Sequence, residues 1–106
     1  MFRSTLAALA LLCGSLSAFA DDSASITISN NKFQPSTITV KAGVKIALSV
    51  TNAGKEPAEF ESSELNREKV IAPGSTVTIY VGPLQPGTYP FFDDFNHSNS
   101  GRIIAK

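Results

Sequence analysis

The feature that most constrains this chain is a period of two in its apolar residues. Ile26 and Ile28, Ile38 and Val40, then Val44, Ile46, Leu48 and Val50, and later Val77, Ile79 and Val81 are each separated by a single residue, mostly threonine, serine or lysine. A helix would scatter such residues around its circumference, whereas a strand turns every second side chain onto one face. The β-branched enrichment points the same way. Turn formers lie between the runs, at Asn30-Asn31, Gln34-Pro35, Ala42-Gly43, Asn52-Ala53-Gly54, Pro73-Gly74, Pro83 and Pro86-Gly87. The pattern predicts an all-β protein: an antiparallel Greek-key two-sheet β-sandwich or barrel of about seven short strands. Glu61 to Lys69 (E-S-S-E-L-N-R-E-K) departs from it. Helix formers follow two serines able to cap them, which predicts one short helix over residues 63–68, too short to persist unless packed on the sheets.

The first twenty residues carry an export signal. Arg3 supplies a positive start, Leu6 to Leu12 an apolar stretch, and Ala18-Phe19-Ala20 a small-residue cleavage site. We expect residues 1–20 to be a cleaved signal peptide and residues 21–106 to form a single periplasmic domain. Lipidation at Cys13 is the competing reading, disfavoured by the large Leu12 before it. Cleavage removes the only cysteine, so the mature protein has no disulfide and no thiolate ligand. It also leaves eight basic against nine acidic residues, a balance with no footprint for nucleic acid or an anionic membrane. The apolar stretch is shorter than the roughly 20 residues of a membrane span, so the protein is not expected to be membrane-embedded.

Charge is unevenly placed. Seven of the nine acidic residues fall in two segments: Glu56, Glu59, Glu61, Glu64 and Glu68 in the middle, and Asp93 with Asp94 near the end. Brought together, they would offer hard oxygen donors to a divalent or trivalent cation, with the single histidine, His97, as an added nitrogen ligand. Glu59 and Glu61 flank Phe60 in an alternating segment, so both should point to the side opposite Phe60, where they can repel or chelate. Glu56, Glu64 and Glu68 read as a solvated face balanced by Lys55, Arg67 and Lys69. His97 stands among Asn96, Ser98, Asn99 and Ser100, a polar loop in which imidazole is either solvated or a ligand. Phe91, Phe92 and Phe95 are assigned to the core, since no tryptophan shares that task. No phosphate loop, nucleophile elbow, H-E-x-x-H or C-x-x-C is present, which disfavours a hydrolase.

Three stretches resemble the cupredoxin family: Phe33 to Gly43 (F-Q-P-S-T-I-T-V-K-A-G), Thr51 to Phe60 (T-N-A-G-K-E-P-A-E-F), and Gly87 through Gly101 to Ile104. The resemblance implies the two-sheet sandwich already read from the periodicity. It also locates the family's copper ligands. Ala58 stands where the first-loop histidine is usual, Asp93 at the cysteine position, Asn96 at the second histidine and Asn99 at the methionine. No blue-copper centre is expected, because its trigonal core needs one thiolate and two imidazoles.

Glu59 to Ile71 (E-F-E-S-S-E-L-N-R-E-K-V-I), Tyr80 to Tyr89 (Y-V-G-P-L-Q-P-G-T-Y) and Phe91 to Phe95 (F-F-D-D-F) resemble more narrowly the small periplasmic cupredoxin-like proteins of bacterial iron-permease operons. That resemblance implies a periplasmic protein that binds iron, or copper, and assists iron uptake by an inner-membrane permease with other periplasmic subunits, with some assistance to ferrous iron oxidation. The implied metal site is Glu59, Glu61, Asp93 and Asp94, with Glu64 outlying. The subfamily's histidine directly follows F-F-D-D-F, where this chain has Asn96 and only then His97. Two other functions fit the same residues: a metal-free interaction module, its aspartates accepting hydrogen bonds from loop amides, that docks onto a permease or periplasmic partner, and a copper redox protein with a non-blue carboxylate and imidazole site.

Overall fold

The structure is a computed structural model that describes residues 20–106; the expected signal peptide lies outside the described residues but for Ala20. Nine strands follow one another: β1 (Asp22–Ser29), β2 (Lys32–Gln34), β3 (Thr37–Val40), β4 (Ile46–Asn52), β5 (Ala58–Ser62), β6 (Arg67–Ile71), β7 (Thr76–Val81), β8 (Gly87–Asp93) and β9 (Asn96–Ala105). They form two sheets, ordered β2-β1-β4-β7 and β3-β9-β8-β5-β6. The predicted two-sheet architecture is present, with two corrections to its strands. There are nine rather than about seven, and the sheets are mixed, because β1 runs parallel to β4 and β3 parallel to β9.

The alternating residues face each other across the sandwich. Ile26, Ile46, Leu48, Val50, Ile79 and Val81 from one sheet meet Ile38, Phe60, Ile71, Phe91 and Ile103 from the other, all buried. Phe33, Phe60 and Phe91 make an aromatic centre. Phe91 stacks on Phe60 with centroids 5.0 Å apart and meets Phe33 edge-on at 4.9 Å. Only one member of the C-terminal phenylalanine trio is core, contrary to the sequence reading. Phe91 points inward, Phe92 by alternation points out, and Phe95, in the turn after β8, is 54% exposed.

The predicted helix over residues 63–68 is absent. Ser63 to Asn66 form the turn of a β-hairpin joining β5 to β6. The Ser62 hydroxyl accepts the Leu65 amide, as a capping serine would, but the Asn66 amide bonds back to the Ser63 carbonyl and Asn66 enters the left-handed region at φ 55°. That conformation ends any helix after one turn. Leu65 is buried as the hairpin's plug, and Arg67 to Ile71 go on as β6, where five ladder positions outweigh helix propensity.

Candidate metal centre

Strand parity builds the site. In β5, Ala58, Phe60 and Ser62 face the core, so Glu59 and Glu61 share the outer face. Across the hairpin, Glu61 pairs with Glu68 and Glu59 with Val70. On the other side Glu61 pairs with Phe92, and the Asp94 amide bonds the Glu59 carbonyl at 2.9 Å. The result is a group of carboxylates on one sheet face, in which Glu59, Glu61 and Asp94 each place an oxygen within 4.8 Å of the others. Glu68 joins them: it hydrogen-bonds to Glu59 and lies close enough to Glu61 to act on its charge.

The electrostatics record how crowded this face is. Glu59 is 7% exposed, and its carboxyl is pushed up to about 7 by the hydrogen bond that its protonated form donates to Glu68, by burial, and by the negative charges of Glu68, Asp94 and Glu61. Glu61 is raised by burial and by Glu68 and Asp94, with His97 acting in the opposite sense. Among the described residues no lysine or arginine pairs with the group; the one such contact is His97 Nε2 to Asp94 Oδ1 at 2.9 Å, an ion pair when the imidazole is protonated. His97, edge-on to Phe92 at 5.2 Å, contacts Asp94 from the exposed side and is itself outside the close group of oxygens.

Asp93 is placed elsewhere. It pairs with Phe60 and shares its inward direction, so the two adjacent aspartates point to opposite faces of the sheet. Its Oδ1 accepts the amides of Glu59 at 2.9 Å and Phe95 at 3.0 Å. Of the five residues singled out in the sequence, the structure thus gathers Glu59, Glu61 and Asp94, sets His97 against Asp94, and turns Asp93 away; Glu64 lies in the hairpin turn. Glu68 was read as a solvated charge. The signal that finds it is the hairpin register, since a four-residue turn after Ser62 puts Glu68 opposite Glu61.

The group's span bears on the ion it can hold. Oxygens on opposite sides of a cation stand two bond lengths apart, about 4 Å for a small octahedral ion and about 4.8 Å for one of calcium's size. Three oxygens that share one ion cannot all stand opposite one another, so the side chains draw together to coordinate an ion of either size.

The inner end of the sandwich carries the family's copper position, and its residues do not fit that ion. Ala58, Asp93 and Asn96 line one cleft there. Asn99 is buried with its Oδ1 accepting the Phe33 amide at 2.8 Å and its Nδ2 without a partner. With neither thiolate nor imidazole among them, they offer no soft donor set. Asn52, fully buried, closes the neighbouring loop by donating to the carbonyls of Glu56 and Ile71 and accepting the Gly54 amide.

A two-sheet sandwich with this strand order and with substituted copper positions defines a cupredoxin-like protein. The chain belongs to the cupredoxin-like domain family, which it matches over residues 3–105. It is 40% identical over 79 residues to an uncharacterised protein of Rickettsia prowazekii (strain Madrid E), an alignment covering 74% of this chain and 63% of that protein. Among solved structures, it resembles the metal-binding domain of the Streptococcus pneumoniae Cu(I)-exporting P-type ATPase CopA with Cu(I), at TM-score 0.69 and 15% identity over 79% of this chain and 84% of that one. Amicyanin from Paracoccus versutus gives TM-score 0.65 and 15% identity over 85% and 87%. The purple cupredoxin of Nitrosopumilus maritimus gives 0.59 and 13% over 78% and 99%. Identities this low establish the fold alone.

Proposed function

We propose that this is a periplasmic iron-binding protein that assists uptake by an inner-membrane permease, holding the ion on the outer face of the β6-β5-β8 sheet through Glu59, Glu61 and Asp94. The observation that carries the reading is the convergence of those three carboxylates within 4.8 Å, beside Glu68 and without a lysine or arginine counter-ion. Carboxylates held this close repel, and a cation relieves the repulsion. His97 holds Asp94 by its Nε2 contact. Hard oxygen donors favour ferric over ferrous iron, which eases oxidation of the bound ion, and they also accept copper(II). Calorimetric titration with ferrous iron under anaerobic conditions, manganese, copper(II) and calcium tests the site. One specific site is expected, weakened at least about tenfold by Asp94→Asn or Glu59→Gln, the loss of one charged ligand being worth 1.4 kcal/mol or more. Unchanged affinity in both variants overturns it. Recovery of an iron permease with the metal-loaded protein tests the uptake role.

A second reading, a metal-free interaction module, draws on Asp93, whose Oδ1 is satisfied by loop amides. Co-purification with a permease by protein that binds none of these ions would favour it.

A further inference from the structure

The loop end of the sandwich holds a cleft of about 540 Å³ on the side of β8 opposite the carboxylate face, and Asp93 is its buried acceptor. Asp93 is 5% exposed. Both amides that reach it use Oδ1; Oδ2 takes no hydrogen bond from any described residue and is not among the enclosed unpartnered atoms, so it keeps some exposure, and Asp93 lines the cleft. A largely desolvated carboxylate oxygen with no donor calls for a ligand that brings one.

The rest of the lining says which donor. Glu56 adds a second carboxylate and Asn96 a side-chain amide, against a single cation, Lys55, which is exposed and makes no ion pair among the described residues. Phe95 lines the cleft and is 54% exposed, so its ring is open to a ligand there. The opposite wall is the loop at Gly54 to Ala58, which Asn52 ties to Ile71 through three hydrogen bonds, so the cleft is preformed. Spread acceptors, excess negative charge and an aromatic face suit a planar, weakly hydrated cation with several donors better than a compact, strongly hydrated ammonium.

We propose that this cleft binds a guanidinium group, one N–H donating to Asp93 Oδ2, further N–H groups to Glu56 and to the second lone pair of the Asn96 side-chain oxygen, whose first accepts the Ser98 hydroxyl at 2.9 Å, and the plane lying against Phe95. The group comes either from an arginine of a partner protein or from a small guanidinium solute; the chemistry is common to both.

The test is a proton–nitrogen NMR titration of the metal-free protein with N-acetyl-arginine amide, its neutral isostere N-acetyl-citrulline amide, N-acetyl-lysine amide and free arginine. Saturable shifts are expected at the amides of Gly54, Lys55, Phe95 and Asn96 with the arginine ligands, none with citrulline, and affinity at least about fivefold weaker with lysine. Asp93→Asn keeps an oxygen for the two loop amides and puts a donor in place of Oδ2; it should weaken binding at least about tenfold. Phe95→Ala, at an exposed position, should weaken it about threefold. Shifts with both arginine forms assign a protein-borne side chain, and shifts with free arginine alone assign a solute. Equal binding of citrulline, undiminished binding by a folded Asp93→Asn variant, shifts confined to residues 59, 61, 94 and 97, or no shifts at all would each overturn the assignment. Should Asp93→Asn fail to fold, the citrulline comparison and Phe95→Ala decide.

Discussion

One peptide bond separates Asp93 from Asp94, and it separates two environments. Asp93 points inward with two loop amides on one oxygen, while Asp94 points outward into a group of like charges. The same alternation puts Glu59 and Glu61 together, and it was legible from A-E-F-E-S alone. Glu68 was not, because its place depends on how many residues turn the hairpin. The crowding has a measurable consequence. The Glu59 carboxyl titrates near 7 in the folded protein and at about 4.3 in an unfolded chain, so between those values the folded state holds a proton that the unfolded state has lost. Stability therefore falls as pH rises through that window and levels off above 7. Glu61, also raised, adds to the same slope. Asp22, held low by the amides of Lys41 and Ser23, acts with the opposite sign, but only in acid below about 4. Thermal unfolding of the chelator-treated protein should show the midpoint falling from about pH 5 to about pH 7. Glu59→Gln should flatten most of that slope, and an undiminished slope in the variant would refute the assignment.

At the scale of elements, the strands with clean alternation were legible and the short or charged ones were not. β2 has three residues, and β6 reads R-E-K-V-I, exposed at all but its last position. Neither carries a period that sequence alone can register, and both are set by pairing with a neighbour. The last hairpin shows how closely such pairing is packed. Gly101 on β9 pairs with Phe91 on β8, and a Cβ there would lie 2.4 Å from the Ser36 carbonyl oxygen and 2.7 Å from the Phe91 ring. The backbone carbonyl cannot yield cheaply, because the Arg102 amide donates to it at 2.8 Å. Gly101→Ala should cost about 2–3 kcal/mol, the usual penalty of overpacking. Urea unfolding should show a lowered midpoint at unchanged m-value; a loss below about 0.5 kcal/mol would mean that Ser36 and Phe91 shift freely.

Across the whole molecule, β8 divides two chemistries. Its outward side contributes to the carboxylate face, and its inward end closes the cleft at Asp93. At the family's copper position stand Ala58, Asp93, Asn96 and Asn99, with Asp93 and Asn99 each accepting backbone amides through Oδ1, and a set of hard donors lies on the far side of the same sheet. The two should respond separately to substitution. An ion that binds only the folded state adds about 2.7 kcal/mol at one hundred times its dissociation constant, which in a domain of this size raises the unfolding midpoint by about 10–20 °C. Because the cation displaces the proton that Glu59 keeps up to about pH 7, the rise should be larger at pH 8 than at pH 6, about one unit either side of the Glu59 value. Asp94→Asn should remove most of the rise and Asp93→Asn leave it intact, since Asp93 faces the other way. Loss of the ion's effect in both variants alike would mean that the two faces are not independent, and that the aspartates act as one site after all.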